Sequence, residues 1–182
     1  MNPVLTAIKN RRSVRQYRPE QITKEELDAI LEAGMWAPSS HNSQPWHFTV
    51  IQDPAKIKQL SDETKKILAT SEIDWVRKIG LSDRNIFHGA PTVVIVSGHQ
   101  GDSFEPIVDC AAAIQNMLLA AESLDIGSCW NGLVRFYFNT EAGRKFVPLP
   151  EGYIPYYAVS LGYKKVPNGP GPQRKGIQIN YL

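Results

Sequence analysis

Three arginines, Arg11, Arg12 and Arg15, stand within five residues, with Ser13 among them. A guanidinium presents a planar fork of donors that matches phosphate oxygens, and a serine hydroxyl adds another donor. The same cluster at a helix end also reads as a solvated basic patch that favours the helix dipole. A second stretch sets Ser39, Ser40, His41, Asn42, Ser43 and Gln44 in a row between Pro38 and Pro45. Hydroxyls and amides at that density could read the edge of a planar heterocycle with donors and acceptors at set places. Ser, Asn and Pro also favour turns for local reasons, so a plain connector explains them as well. Third comes Gly127-Ser128-Cys129-Trp130-Asn131-Gly132, where glycine would let a ligand approach the backbone closely, or would simply make a tight turn. Neither a GxGxxG fingerprint nor a P-loop occurs. His41, His47, His88 and His99 have no zinc spacing, and neither do Cys110 and Cys129. Cys129 by itself reads as a small buried hydrophobe, and Trp36 and Trp46 as core or interface aromatics.

These groups need a scaffold, and composition bounds it. The 182 residues match one ordinary domain, long enough for a real core without disulfides. A net charge of +2 gives no broad electrostatic footprint for nucleic acid, so any basic function must be local. The apolar run 107–124 is interrupted by Asp109, Gln115, Asn116 and Glu122, which argues against a membrane span. Met1-Asn2-Pro3-Val4 lacks the basic start and apolar run of a signal peptide, so the expected location is the reducing cytoplasm.

The positioning elements follow from periodicity and caps. Asn2-Pro3 can start a short helix that delivers the chain to Arg11. Thr23 and Glu26 form a capping box, Ile22 and Leu27 a hydrophobic staple, and Leu27, Ile30, Leu31 and Met35 an apolar face. Residues 46–51 read as a strand, and Asp53-Pro54 opens a helix with Ile57, Leu60 and Ile67 or Leu68 inward. Residues 73–88 carry a weaker helical pattern through Ile73, Val76, Ile79 and Leu81. The β-branched run 92–96 predicts a buried strand, and 107–124 a central helix apolar around most of its circumference. Residues 127–132 read as a strand-to-loop transition, Asn139 or Thr140 as the start of a short helix ending near Val147-Pro148, and 154–161 as another strand. Helices and strands do not alternate regularly enough for a doubly wound parallel sheet, so the class is α+β. The tail from Lys164 is rich in Pro and Gly, then alternates Ile177, Ile179 and Tyr181, a pattern that could add as a strand to another chain.

In combination these stretches resemble the FMN-dependent nitroreductase family. The resemblance runs through Arg11-Arg12-Ser13-Val14-Arg15-Gln16-Tyr17, then Pro38-Ser39-Ser40-His41-Asn42-Ser43-Gln44-Pro45-Trp46, then Gly127 to Gly132, and ends at Leu161-Gly162-Tyr163 before a basic tail. It covers essentially the whole chain, 1–182, in order, and the Pro-Ser-Ser-x-Asn-Ser-Gln-Pro-Trp stretch is its most specific piece. It implies a mostly antiparallel central sheet flanked by helices, in a homodimer that exchanges tails 165–182 and holds two FMN at the interface. It further implies that Arg11, Arg12 and Ser13 bind the phosphate, the ribityl or the pyrimidine edge, with Arg15 near flavin N1/O2. Pro38, Ser39, Ser40 and Asn42 would come from the partner subunit. Asn131 and Gly132 would offer backbone N–H groups near N5, with Cys129 and Trp130 completing that segment, and Arg174 and Lys175 would form a second phosphate grip. The chain is shorter than many relatives, with the missing length expected around 61–88 or in the helical cover over the flavin.

The chemistry so implied is hydride transfer from NADPH or NADH through flavin N5 to a nitroaromatic, quinone or related small acceptor, in a ping-pong sequence carried by the flavin rather than by a side-chain nucleophile or a metal. The alternative is a module that merely stores or senses FMN or another phosphorylated ligand.

Overall fold

The computed structural model describes residues 2–101 and 103–182. Asn2 accepts from the Val4 N–H at 2.8 Å and Pro3 fits the first turn, so α1 (Pro3–Asn10) begins where its cap dictates. Both halves of the capping box at Thr23 and Glu26 form and start α2 (Lys24–Met35). Ile22 and Leu27 are both buried beside it. β1 (Trp46–Ile51), α3 (Pro54–Ala69), α4 (Asp74–Leu81) and β2 (Thr92–His99) follow. Then come α5 (Pro106–Ser123), β3 (Ile126–Asn131), α6 (Val134–Phe138), α7 (Glu141–Arg144) and β4 (Tyr153–Tyr163).

The four strands form one antiparallel sheet in the order β1-β2-β4-β3. Side chains alternate across a strand, so Val94 and Val96 of β2 enter one core with α2 and α5, while Val93 and Ile95 enter the other with α3, α4 and α6. That double burial explains the continuous β-branched run: neither face of β2 meets water. Ile114, Met117 and Leu118 of α5 and Ile30 of α2 fill the first core; Leu60, Leu68, Val76 and Phe138 fill the second.

Several local expectations are revised. Met35 is half exposed and Gly34 is buried instead, because the 27-30-31-34 spacing holds the face one residue short of the helix end. The helical pattern over 73–88 yields only α4; Ile73 and Leu81 are exposed, and Ile86 and Phe87 are buried from a non-helical segment. The stretch to Asn131 is strand throughout, its register on β4 set by Ile126 opposite Tyr163 through Asn131 opposite Ala158. The short helix α7 is capped by Thr140 but ends at Arg144, and α6 before it gave no sequence signal of its own. Residues 169–182 are exposed and form no strand.

β1 and β3 are the sheet edges, and β3 is covered by the arginine segment. Val14 N–H donates to Ser128 O at 2.9 Å, and Ser13 and Ser128 form a parallel bridge. Beyond it, Arg18 N–H donates to Tyr163 O and Lys165 N–H to Gln16 O, so residues 13–18 run along the end of β4 as well. Gly127 permits this approach: a Cβ there would lie 2.9 Å from Val14 Cγ1 and 3.0 Å from the Gly162 carbonyl. An edge with unpaired backbone groups is thereby satisfied by the segment that carries the site.

Candidate functional site

Extended backbone splits the arginine cluster. Successive side chains point to opposite sides, so Arg11, Ser13 and Arg15 share one side and Arg12 and Val14 the other. Val14 is buried with Tyr17 and Ala90. Arg12 turns back: its Nη1 donates to Lys9 O at 2.7 Å and to Arg11 O at 2.9 Å, and its guanidinium lies against Gly171. It lines a cavity of about 450 Å³ with Arg18, Lys164 and Asn168. Lys164 is already paired there with Glu122 at 3.1 Å and Asp125 at 2.8 Å.

Arg11, Ser13 and Arg15 instead surround Cys129. Burial pushes the Cys129 thiol up, and Arg15, Arg11 and a Ser13 hydrogen bond pull part of that rise back. The net direction is upward, so Cys129 is a neutral wall and not a thiolate nucleophile. Arg15 opens onto a cavity of about 340 Å³, within the roughly 300–1,000 Å³ range of small-molecule sites. Cys129, Trp130, Asn131, Gly132 and Leu133 form one wall; Ile79, Arg84, Asn85, Ile86 and His88 form another. Among the described residues, no carboxylate lines it. The Asn131 side chain is buried and donates to Ser160 Oγ at 2.7 Å and Cys129 O at 3.0 Å. Trp130 rests edge-on against Tyr157, with ring centroids 5.2 Å apart. Gly132 fronts open space, with no atom within 4 Å of where a Cβ would stand.

His88 brings the second wall to the site through a turn. It has φ +58° and is followed by Gly89 at φ +74°, while Asn85 caps the turn by accepting from Phe87 N–H at 2.8 Å. Burial, then Arg15 and Arg84, hold the imidazole below its ordinary value, so the neutral ring is favoured. Arg84, Asn85 and His88 were not singled out as ligand residues by sequence. The Asn85 and His88-Gly89 turn signature was the available signal, masked by the helical spacing of the residues before it.

The Pro38–Asn42 group lies elsewhere in the chain, beside a surface hollow of about 620 Å³ that Pro38 and Asn42 line with Met35, Trp36 and Gln44. Trp36 is 78% exposed there, so it is no core aromatic of this chain, whereas Trp46 packs against the first core. Ser39 Oγ accepts from Gln44 N–H at 2.9 Å, and Ser40 N–H donates to Asp109 Oδ1 at 3.2 Å. His41, Asn42 and Gln44 have φ of +50°, +55° and +47°. Left-handed backbone costs an L-residue roughly 1–2 kcal/mol, least for Asn, so this turn is held in place against its own preference. Arg174 and Lys175 stand exposed in the tail. A single chain therefore brings Arg11, Ser13, Arg15 and 129–132 together and keeps Arg12, the Ser39–Ser40 loop and the tail pair apart from them. Among the described residues there is no cluster of metal-ligating side chains, and no helix is long and apolar enough to cross a membrane.

The chain is similar to known proteins. A sequence model of the nitroreductase family matches residues 8–163. A crystal structure of a nitroreductase with bound FMN from Bacteroides fragilis is 38% identical, superposes with a TM-score of 0.82, and shares 99% of this chain and 96% of that one. A second nitroreductase with bound FMN, from Desulfitobacterium hafniense, is 29% identical with a TM-score of 0.86, over 100% of this chain and 99% of that one. An FMN reductase [NAD(P)H] from Bacillus subtilis is 28% identical over 100% of this chain and 74% of its own length. The chain belongs to the nitroreductase family.

Proposed function

We propose that the protein is an NAD(P)H-dependent FMN oxidoreductase, and that the cavity between Arg15 and Gly132 receives the flavin ring. One observation carries this reading: a phosphate-type donor set, Arg11, Ser13 and Arg15, gathers around Cys129 of β3, and its Arg15 lines a cavity that no carboxylate among the described residues enters, beside the exposed backbone of Gly132. FMN is anionic at its phosphate and planar at its ring, and both properties suit those walls. The relatives named above, two with bound FMN and one called an FMN reductase, support the same assignment.

FMN, when bound, supplies the hydride-accepting and hydride-donating chemistry. The residues do the rest. Arg11 and Ser13 hold phosphate. Arg15 offsets negative charge at the N1/O2 side, where preorganised donors act without reorganising. The backbone N–H groups of Asn131 and Gly132 orient the N5 edge, while Cys129 and Trp130 close the wall. Arg12 braces the Arg11 carbonyl rather than gripping phosphate itself. Pro38, Ser39, Ser40 and Asn42 reach the partner's flavin in a homodimer, because within one chain they do not line the Arg15 cavity. The exposed apolar side chains of Val4, Leu5 and Ile8 on α1 and of Ile177 and Tyr181 in the tail support such an assembly. Exchange of the tail would bring Arg174 and Lys175 to the second phosphate grip. Nitroaromatics and quinones are the acceptors proposed, in a ping-pong sequence in which the nicotinamide leaves before the acceptor enters.

The test is direct. The purified protein should be yellow, bleach when NADPH or NADH is added under nitrogen, and recover colour with a nitroaromatic or quinone. A bound flavin inert to both nicotinamides would favour the storage module, and a protein that takes up no FMN would refute both flavin readings. A monomer by sedimentation would refute the shared site, and a deletion of 165–182 that leaves dimer and flavin binding intact would refute tail exchange.

A further inference from the structure

We infer that Asp109 is a positioning residue for the flavin site: it clamps the strained 39–44 turn to α5, so that Ser39, Ser40 and Asn42 are presented in one ligand-reading shape. The inference rests on the assignment of that turn to a flavin site. An aspartate in a helix's first turn is ordinary, since it complements the N-terminal dipole. Asp109 departs from that role in being 7% exposed and in reaching across 69 residues of sequence. One carboxylate oxygen accepts from the Ser40 N–H at 3.2 Å, and the other accepts from the Ser103 hydroxyl. Its charge, after burial, helps push the neighbouring Cys110 thiol up to about 12.

The turn it holds has cause to leave. Three of its residues, His41, Asn42 and Gln44, carry left-handed backbone with no glycine among them. The internal bonds, Asn42 N–H to Ser39 O at 3.1 Å and Ser43 N–H to Ser40 O at 3.0 Å, close the turn on itself. They do not fix where it points. Its far end is tied to the sheet by His99 N–H donating to Pro45 O at 2.9 Å. The near end is tied to α5 through Asp109. Strain kept at a ligand loop persists only where neighbours over-determine it, and Asp109 is the neighbour that does so at Ser40.

The test compares Asp109→Ala with Asp109→Asn in the full-length protein. Asparagine keeps an acceptor for the Ser40 N–H and can donate to the Ser103 hydroxyl; alanine keeps neither. FMN affinity is read by titrating apoprotein with FMN, and loop order by hydrogen exchange of the 39–44 amides. Asp109→Ala should weaken FMN binding by about tenfold or more, and Asp109→Asn by no more than about threefold. Exchange should quicken over 39–44 in the alanine variant and stay unchanged over 114–121 of α5. Ser103→Ala, which removes one of the carboxylate's two partners and keeps the fold's core intact, should show the same pattern at smaller amplitude. Wild-type affinity in Asp109→Ala, equal losses in the two Asp109 variants, or faster exchange spread along α5 would overturn the clamp. A wild-type protein that binds no FMN would refute the functional assignment instead; the exchange comparison would still decide whether Asp109 orders the turn.

Discussion

Replacing Gly132 by alanine separates a ligand-facing glycine from a structural one. No atom lies within 4 Å of the position its Cβ would take, and its backbone is outside the left-handed region. The apoprotein therefore has room for the methyl group. Alanine at a compatible position stabilises by about 0.4–1 kcal/mol through loss of unfolded-chain entropy. For a domain of this size that raises Tm by roughly 1–4 °C. The flavin-bound state has no such room if the ring lies against this backbone. Overpacking by one methyl costs about 1–3 kcal/mol, which corresponds to a Kd for FMN weaker by roughly 5- to 150-fold. The assay pairs thermal unfolding of the apoprotein with an FMN titration. Gly127→Ala is the contrast, since there the methyl would strike Val14 and the Gly162 carbonyl and should lower the Tm of the apoprotein itself. If Gly132→Ala binds FMN as the wild type does, the ring does not sit there; if it lowers the apoprotein Tm by several degrees, the glycine is structural.

The arginine cluster should divide in the same two assays. Arg11→Ala should weaken FMN binding while changing apoprotein stability by less than about 0.5 kcal/mol. Arg12→Ala, which releases the Lys9 and Arg11 carbonyls, should cost about 1–2 kcal/mol of stability. Lys164→Ala should cost about 1–3 kcal/mol, because it leaves the half-buried Glu122 carboxylate with Asn168 alone as side-chain donor among the described residues, and the Tm should fall by roughly 2–12 °C. For His88, the folded value lies below the unfolded one, chiefly through burial and then through Arg15 and Arg84. The unfolded chain then takes up a proton that the folded chain refuses, so the stability is present above a pH of about 6.5 and is lost as pH falls from there through the lower folded value. Tm measured from neutral to mildly acid pH should fall less steeply in His88→Asn than in the wild type; parallel curves would refute this.

Much of the scaffold was legible because its signals are local. The capping box at Thr23 and Glu26, Asp53 before Pro54, and the alternation-free run of β2 each declare their element within a few residues. Their physics is a hydrogen bond or a burial pattern that needs no distant partner. Where a distant partner decides, the local reading strayed. The 73–88 spacing suits a helix, yet Ser61 Oγ accepts from Ile86 N–H at 3.1 Å and Phe87 O accepts from Ser160 Oγ, which draws that stretch into the second core as a turn.

The candidate site divides along the same line. Residue types alone allowed phosphate at Arg11, Arg12 and Arg15, polar reading at Ser39–Asn42 and close approach at Gly132, each beside a plainer reading, and only their combination favoured a site. Only the tertiary structure decided that Arg12 faces away, because bonding along β3 puts alternate side chains on opposite sides. It also decided that Arg84, Asn85 and His88 complete the Arg15 cavity, and that Asp109 holds Ser40 from 69 residues away. Chemistry resides in single side chains and can be read one residue at a time. Direction and company are set by which backbone runs beside which, and that is settled when the sheet and its two cores assemble.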